Sequence, residues 1–188
     1  MAYALLKDFL SEEEYIQGEL ISDIRHEYVG GGVYAMVGAS DRHGLITGNL
    51  FAALRPLVRG TPCQLFMTDM KVRLEPAGQT SFYYPDLLLS CDPEDRATYH
   101  RSRPCLIVEV LSAATERIDR REKLYAYTSI PSLQEYLLLS QDQTKAEIYR
   151  RNQGWQAKTI TEGVVPIQCL DTEIPLATIY EDVKLPTE

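Results

Sequence analysis

Two apolar runs, each interrupted by a single acid, constrain this chain more than anything else in it. The first, Tyr84-Pro85-Asp86-Leu87-Leu88-Leu89, carries Asp86, and the second, Cys105-Leu106-Ile107-Val108-Glu109-Val110-Leu111, carries Glu109. Neither run alternates apolar with polar residues, so each predicts a strand buried on both faces, the kind found at the centre of an α/β sheet. A lone carboxylate in such a strand costs several kcal/mol unless a proton, a basic partner or a metal ion neutralises it. The sequence reading favours the metal.

The rest of the chain supplies elements to cover such strands. Ser11 followed by Glu14 is a capping-box pattern opening a short helix. Glu27-Tyr28-Val29 and Val33 to Val37 flank Gly30-Gly31-Gly32 and predict a hairpin; no helix opens after the glycines, which strongly favours the hairpin over a phosphate-binding loop. His43, Ile46, Leu50, Leu54 and Leu57 recur at helical spacing behind a Ser40 or Asp41 cap, with Pro56 near the end. His43 shares that inward stripe, either as a satisfied core histidine or as a group near a site.

Residues 64–75 alternate as one half-exposed strand. A polar loop follows the Asp86 strand, from Asp92 to Arg103. A helix capped by Ser112 or Thr115 is expected over about 116–129, then strands at 135–140, 145–151 and 155–161. The tail over 164–183 packs on the sheet through Ile167, Leu170, Ile174, Leu176, Ile179 and Tyr180. This order predicts an α/β fold with a mixed central sheet and helices on its faces, in one domain over residues 1–188.

The cysteines, Cys63, Cys91, Cys105 and Cys169, form no CxxC pair and fall mostly in apolar segments. They read as buried thiols in a reducing compartment rather than as a zinc knuckle or a disulfide framework. No leader pattern opens the sequence and no apolar run approaches the roughly 18 residues of a membrane span, so the expectation is a cytoplasmic protein with no membrane partner.

A net charge of −8 argues against non-specific coating of nucleic acid. Its distribution is uneven: residues 96–123 hold seven basic side chains against four acids. A local basic patch of that kind is compatible with an anionic substrate, though arginines also cluster by chance.

Asp86 and Glu109 lie 23 residues apart, a gap that a loop and a return strand can close. If their strands are neighbours, the carboxylates converge, and a hard cation such as Mg²⁺ or Mn²⁺ between them keeps coordination places for water and phosphate. Lys123, fourteen residues beyond Glu109, is the candidate cation of the set, because Glu116, Asp119, Lys123, Tyr127 and Ile130 form a stripe running from polar to apolar. The plainer alternative is a surface ion pair between Asp119 and Lys123, worth a few tenths of a kcal/mol.

On these residues the chain resembles a large bacterial family, expanded in cyanobacteria, of restriction-endonuclease-like proteins in the PD-(D/E)xK nuclease superfamily. The likeness rests on Pro85-Asp86, Glu109-Val110-Leu111-Ser112, Asp119 and Lys123. It extends through Arg25-His26-Glu27-Tyr28, His43, Gly48-Asn49-Leu50, Asp69-Met70-Lys71-Val72 and Ser132-Leu133-Gln134-Glu135-Tyr136.

The resemblance implies a restriction-endonuclease-like sheet with an N-terminal β-hairpin, metal-binding acids Asp86 and Glu109, and Glu27 or His43 close by. The superfamily's usual lysine stands two residues after the second acid, where this chain has Leu111, so the resemblance implies a lysine from the next helix, Lys123. The family's hairpin turn usually carries acids, and Gly30-Gly31-Gly32 has none.

The resulting expectation is a Mg²⁺-dependent endonuclease on DNA. Asp86, Glu109, Lys123 and Glu27 would be catalytic, His43 and Asp119 would support them, and Arg117, Arg120 and Arg121 would hold phosphates. A homodimer is the default for an enzyme that cuts both strands. Two alternatives stay open: a non-catalytic nuclease-fold module, and a metal-dependent phosphoesterase with another substrate.

Overall fold

β6 (Leu87–Ser90) and β8 (Leu106–Leu111) lie side by side, and every residue of both is buried. The computed structural model describes residues 9–112 and 115–186. The two strands pair antiparallel with Leu87 opposite Val108, and β8 pairs in parallel with β9 (Glu135–Ser140), Val108 opposite Leu137. With β3 (Gln64–Met67), β10 (Ala146–Arg150) and β11 (Ala157–Ile160), they complete a mixed six-stranded sheet in the order β11-β10-β9-β8-β6-β3.

Because side chains alternate across a strand, β8 serves two cores at once. Leu106, Val108 and Val110 pack with Ile46, Leu50 and Leu54 of α2 (Asp41–Leu54), together with β12 (Val164–Ile167), β13 (Thr172–Pro175) and α5 (Leu176–Ile179). Ile107 and Leu111 turn the other way, toward Ala126, Tyr127 and Ile130. Glu109 falls on that second side, beneath the helix that follows it in sequence.

That helix is irregular where it passes Glu109. It begins as α3 (Glu116–Ile118), widens into a π-helical turn over Asp119–Lys123, and resumes as α4 (Leu124–Thr128). The sequence predicts a helix here but not its change of pitch. Such single π turns are frequent at functional positions.

A second sheet, of five strands, was not expected. The predicted hairpin is present as β1 (His26–Val29) and β2 (Gly32–Ala35), turning at Gly30 and Gly31 with φ of 54° and 98°. Positive φ costs glycine no Cβ clash, which is why this turn uses it. The hairpin joins β5 (Ser81–Tyr83), β4 (Lys71–Leu74) and β7 (His100–Arg101) in the order β2-β1-β5-β4-β7. Over it lies α1 (Glu12–Glu19), opened by the predicted capping box and docked through Tyr15 on Tyr28 and Phe82.

Three expectations need correction. The strand read over 64–75 is two strands in different sheets, β3 and β4, separated where Thr68 adopts φ 55°. Each half is a short extended run of mixed polarity, so periodicity alone does not reveal the break. The polar loop after Asp92 contains β7, which extends the second sheet. The cysteines are not free thiols: Cys63 bonds Cys91, and Cys105 bonds Cys169. Sheet register brings these distant residues together, and sequence spacing does not encode it.

The chain also leaves the five-stranded sheet after Tyr83 and enters the six-stranded one at Leu87. The two crossings are tied together, Thr68 N–H donating to the Asp86 carbonyl at 3.1 Å.

Candidate active site at the junction of the two sheets

Asp86 stands at this junction, one residue before β6, and both its oxygens are engaged. Oδ1 lies 2.7 Å from His43 Nε2, and Oδ2 accepts from the Val110 N–H at 2.6 Å. His43 is held in turn by the first turn of α2. Its N–H donates to the capping Ser40 Oγ, whose hydroxyl donates to Gln141 Oε1 at 2.6 Å. The open choice for His43 is resolved in part: it is an oriented partner of Asp86, neither packed in the core nor free.

The β6–β8 register, with Leu87 opposite Val108, sets Asp86 against Glu109 one step further on. Glu109 is only 4% exposed. Its Oε1 accepts from the Tyr127 hydroxyl at 2.8 Å and lies 3.1 Å from Lys123 Nζ. The buried acid is therefore met by a basic partner and a hydroxyl. That is a second remedy among those the sequence left open.

Lys123 is the centre of the arrangement. Its ammonium lies 2.9 Å from Glu27 Oε1, 3.1 Å from Glu109 Oε1 and 3.4 Å from Asp119 Oδ1, with the Tyr83 ring 5.6 Å away. The surface-pair alternative for Asp119 and Lys123 fails because both are buried. The π turn places both residues inward, and Tyr136 anchors it by donating its hydroxyl to the Asp119 carbonyl at 3.1 Å. Glu27 arrives from β1 of the other sheet, so the cluster joins both sheets and the crossover helix.

Charge in this cluster is unbalanced. Burial drives the Glu109 carboxyl well above the usual range; Lys123 pulls it back, while Asp119, Asp86 and Glu27 push it further up. Burial likewise raises Asp119. Burial opposes the charge on Lys123, but Glu109, Glu27 and Asp119 outweigh it and hold the ammonium protonated. Glu27 Oε1 and Asp119 Oδ1 are buried without a hydrogen bond, although both lie near Lys123 Nζ. One ammonium is thus shared among three carboxylates.

The three arginines of the following helix differ in their availability. Arg120 is engaged by Glu116 at 2.8 Å and by Glu147. Arg117 is exposed and lies 3.4 Å from Glu122, while Arg121 is exposed with no ion pair among the described residues. The wider basic stretch does not act as one patch. Arg101 is buried beside the Phe66 ring, and Arg103 pairs with Asp92.

Tyr127 is the partner that sequence reasoning missed. It sits four residues after Lys123 on the same stripe, so the spacing that picked out the lysine also pointed to it.

Among the described residues no helix is long and apolar enough to cross a membrane. Nor do three His, Cys, Asp or Glu side chains among them form a group able to hold a metal ion. Lys123 occupies the point where the carboxylates converge.

The fold defines a restriction-endonuclease-like α/β protein. It superposes on the crystal structure of a "putative nuclease belonging to DUF820" from Anabaena variabilis with a TM-score of 0.71, covering 91% of this chain and 97% of that one, at 13% identity. The family model described as "Uma2: Putative restriction endonuclease" matches residues 12–177, and the chain belongs to that family. Two Synechocystis proteins are similar in sequence. The uncharacterized protein slr1290 is 38% identical over 144 residues, 76% of this chain and 75% of that protein. The uncharacterized protein sll1609 is 32% identical over 145 residues, 76% and 81% of the two chains.

Proposed function

We propose that this protein is a Mg²⁺-dependent endonuclease that hydrolyses DNA phosphodiester bonds. The observation that carries the reading is the buried gathering of Glu27, Glu109 and Asp119 around Lys123, beside an Asp86 held by His43. A purely structural cluster has no need of more carboxylates than it can neutralise.

The donors suit a hard divalent ion. They are carboxylate oxygens, and Mg²⁺ is commonly held by only one or two carboxylates with water and phosphate completing its shell. Asp86 and Glu109 would hold the ion, Mg²⁺ or Mn²⁺. When bound there, it supplies neutralisation of charge on a phosphoryl oxygen and a water of lowered pKa.

The chain's own groups do the rest. His43 and the Val110 N–H fix the direction of Asp86, while Tyr127 and Lys123 fix Glu109. Swung from its carboxylates, the Lys123 ammonium orients the attacking water or stabilises the pentacovalent phosphorus. Exposed Arg117 and Arg121 supply contacts to flanking phosphates, and Arg120 can join them only by giving up Glu147. We take the working form as a cytoplasmic homodimer of one-domain chains.

A second reading, the non-catalytic module, is favoured by one observation: Lys123 already compensates Glu109 without a metal ion. Calorimetric titration of the wild type and Asp86→Asn with Mn²⁺ separates the two. Binding that disappears in the variant supports the nuclease, and cleavage is then sought with single-stranded, double-stranded and branched DNA beside non-nucleic phosphoesters. An Mn²⁺ isotherm unchanged by Asp86→Asn removes that residue from the site. Cleavage of only the non-nucleic esters would reassign the substrate.

A further inference from the structure

The end of the six-stranded sheet opposite the acids gathers all four cysteines of the chain. Cys63 precedes β3 and Cys91 follows β6, strands whose last paired residues are Gln64 and Ser90. Cys105 precedes β8, its N–H donating to the Leu89 carbonyl at 2.8 Å. Cys169 lies in the 3₁₀ turn Gln168–Leu170 between β12 and β13, its N–H held 3.2 Å from Glu135 Oε2. Glu135 is itself fixed by Arg150 at 2.9 Å. Four separate backbone positions are thus fixed around one point by sheet register and a buried ion pair.

The cysteines form two disulfides, and these touch: Cys91 Sγ and Cys105 Sγ, from different pairs, stand 3.8 Å apart. A tetrahedral ion with Zn–S bonds of about 2.3 Å has sulfur–sulfur edges of about 3.8 Å. The contact between the pairs already has that edge length. While both disulfides are closed no cysteine is free, in keeping with the lack of a metal-ready group among the described residues.

We propose that, once both disulfides are reduced, Cys63, Cys91, Cys105 and Cys169 form a tetrathiolate site for Zn²⁺. Reduction by a dithiol delivers two electrons and two protons to each disulfide and leaves the reductant as a disulfide. Zinc then displaces the four thiol protons into solvent, so uptake strengthens as pH rises. Four thiolates on one Zn²⁺ carry a net double negative charge. Arg55, Arg59 and Arg96, with Asp92 and Asp95, line a cavity of about 650 Å³ that Cys63 also lines. The site is independent of the proposed nuclease centre, which uses hard oxygen donors at the opposite ends of β6 and β8.

The test reduces the full chain anaerobically with a dithiol, removes the reductant and titrates Zn²⁺ against a chromophoric chelator. The expected result is a single tightly held zinc per chain, with all four thiols protected from alkylation. The Cys63→Ser/Cys169→Ser double variant should lose at least about 100-fold in affinity, because two thiolate bonds are removed. Asp86→Asn should bind zinc as the wild type does. Should the cysteine variant misfold, Co²⁺ in the wild type reports the donors directly, through the strong charge-transfer and visible bands of a tetrahedral tetrathiolate. Absence of zinc uptake by the reduced wild type, a Co²⁺ spectrum of oxygen ligands, or disulfides that stay closed in the folded chain under dithiol would each overturn the proposal.

Discussion

Two buried charge clusters in this molecule are built by opposite rules. Glu135 and Arg150 face each other across β9 and β10, and nearly every polar atom is answered: Arg150 Nε donates to Glu135 Oε1 at 2.9 Å, its Nη2 to the Pro166 carbonyl, and Glu135 Oε2 accepts from Cys169 N–H. One cation meets one anion. Around Lys123 one cation meets three carboxylates within 3.4 Å, and Glu27 Oε1 and Asp119 Oδ1 lack a hydrogen bond. Both clusters are desolvated, so burial alone does not separate them; balance does. A buried pair with its valences filled holds the fold, whereas an unfilled one keeps affinity for a further cation or polar ligand.

The largest expected effect tests the balanced cluster. Arg150→Met leaves Glu135 buried and unpaired, and should cost about 3–5 kcal/mol in denaturant unfolding. Added Mg²⁺ should return none of it. Lys123→Met should cause a loss of the same order, about 3–5 kcal/mol, but millimolar Mg²⁺ or Mn²⁺ should restore part of it by binding the freed carboxylates. Equal insensitivity to Mg²⁺ in the two variants would erase the distinction between the clusters.

His43→Ala releases Asp86 from its orienting partner, and divalent-ion affinity by calorimetry should fall about 10- to 100-fold. Glu109→Gln should alter stability by no more than about 1 kcal/mol, or raise it, since it removes a buried charge. Divalent binding should nonetheless be lost; a strongly destabilised Glu109→Gln would mean that the acid holds the fold as Glu135 does.

The smallest effect concerns pH. The hydrogen bond from Arg120 holds the Glu147 carboxyl at about 2, against the ordinary 4.5. A depressed acid contributes stability that is whole above the ordinary value and is lost as pH falls through the depressed one. Arg120→Gln should therefore lower stability modestly at neutrality and flatten the fall between about pH 4.5 and 2, the range set by those two values, so that the variant and the wild type converge at the acid end. An unaltered acid limb would show that this half-open ion pair contributes nothing measurable.

Much of the acid cluster was readable in advance, because an isolated carboxylate in a fully apolar run has few explanations. Asp86 and Glu109 were found that way; Lys123 and His43 came from helical stripes, and Glu27 from the family resemblance. Tyr127 lay on the same stripe but resembled a core aromatic. The arginines misled, because a run of charges in sequence does not say which face each one takes; Arg120 turned to Glu147 and Arg101 into the interior. The cysteines misled for the same reason. Their spacings carry no pairing signal, and only strand register makes Cys63 a neighbour of Cys91.

By itself the sequence determined the local choices: the two-sided central strands, the glycine hairpin, the capped helices and the presence of buried acids. Those follow from side-chain periodicity, caps and desolvation, which act over a few residues. Tertiary structure alone decided that Thr68 and Asp86 mark a crossing between two sheets, that a π turn carries Asp119 and Lys123 inward, and that four cysteines share one end of a sheet. Each depends on contacts between residues far apart in the chain, whose meeting is set by packing and register rather than by any local preference.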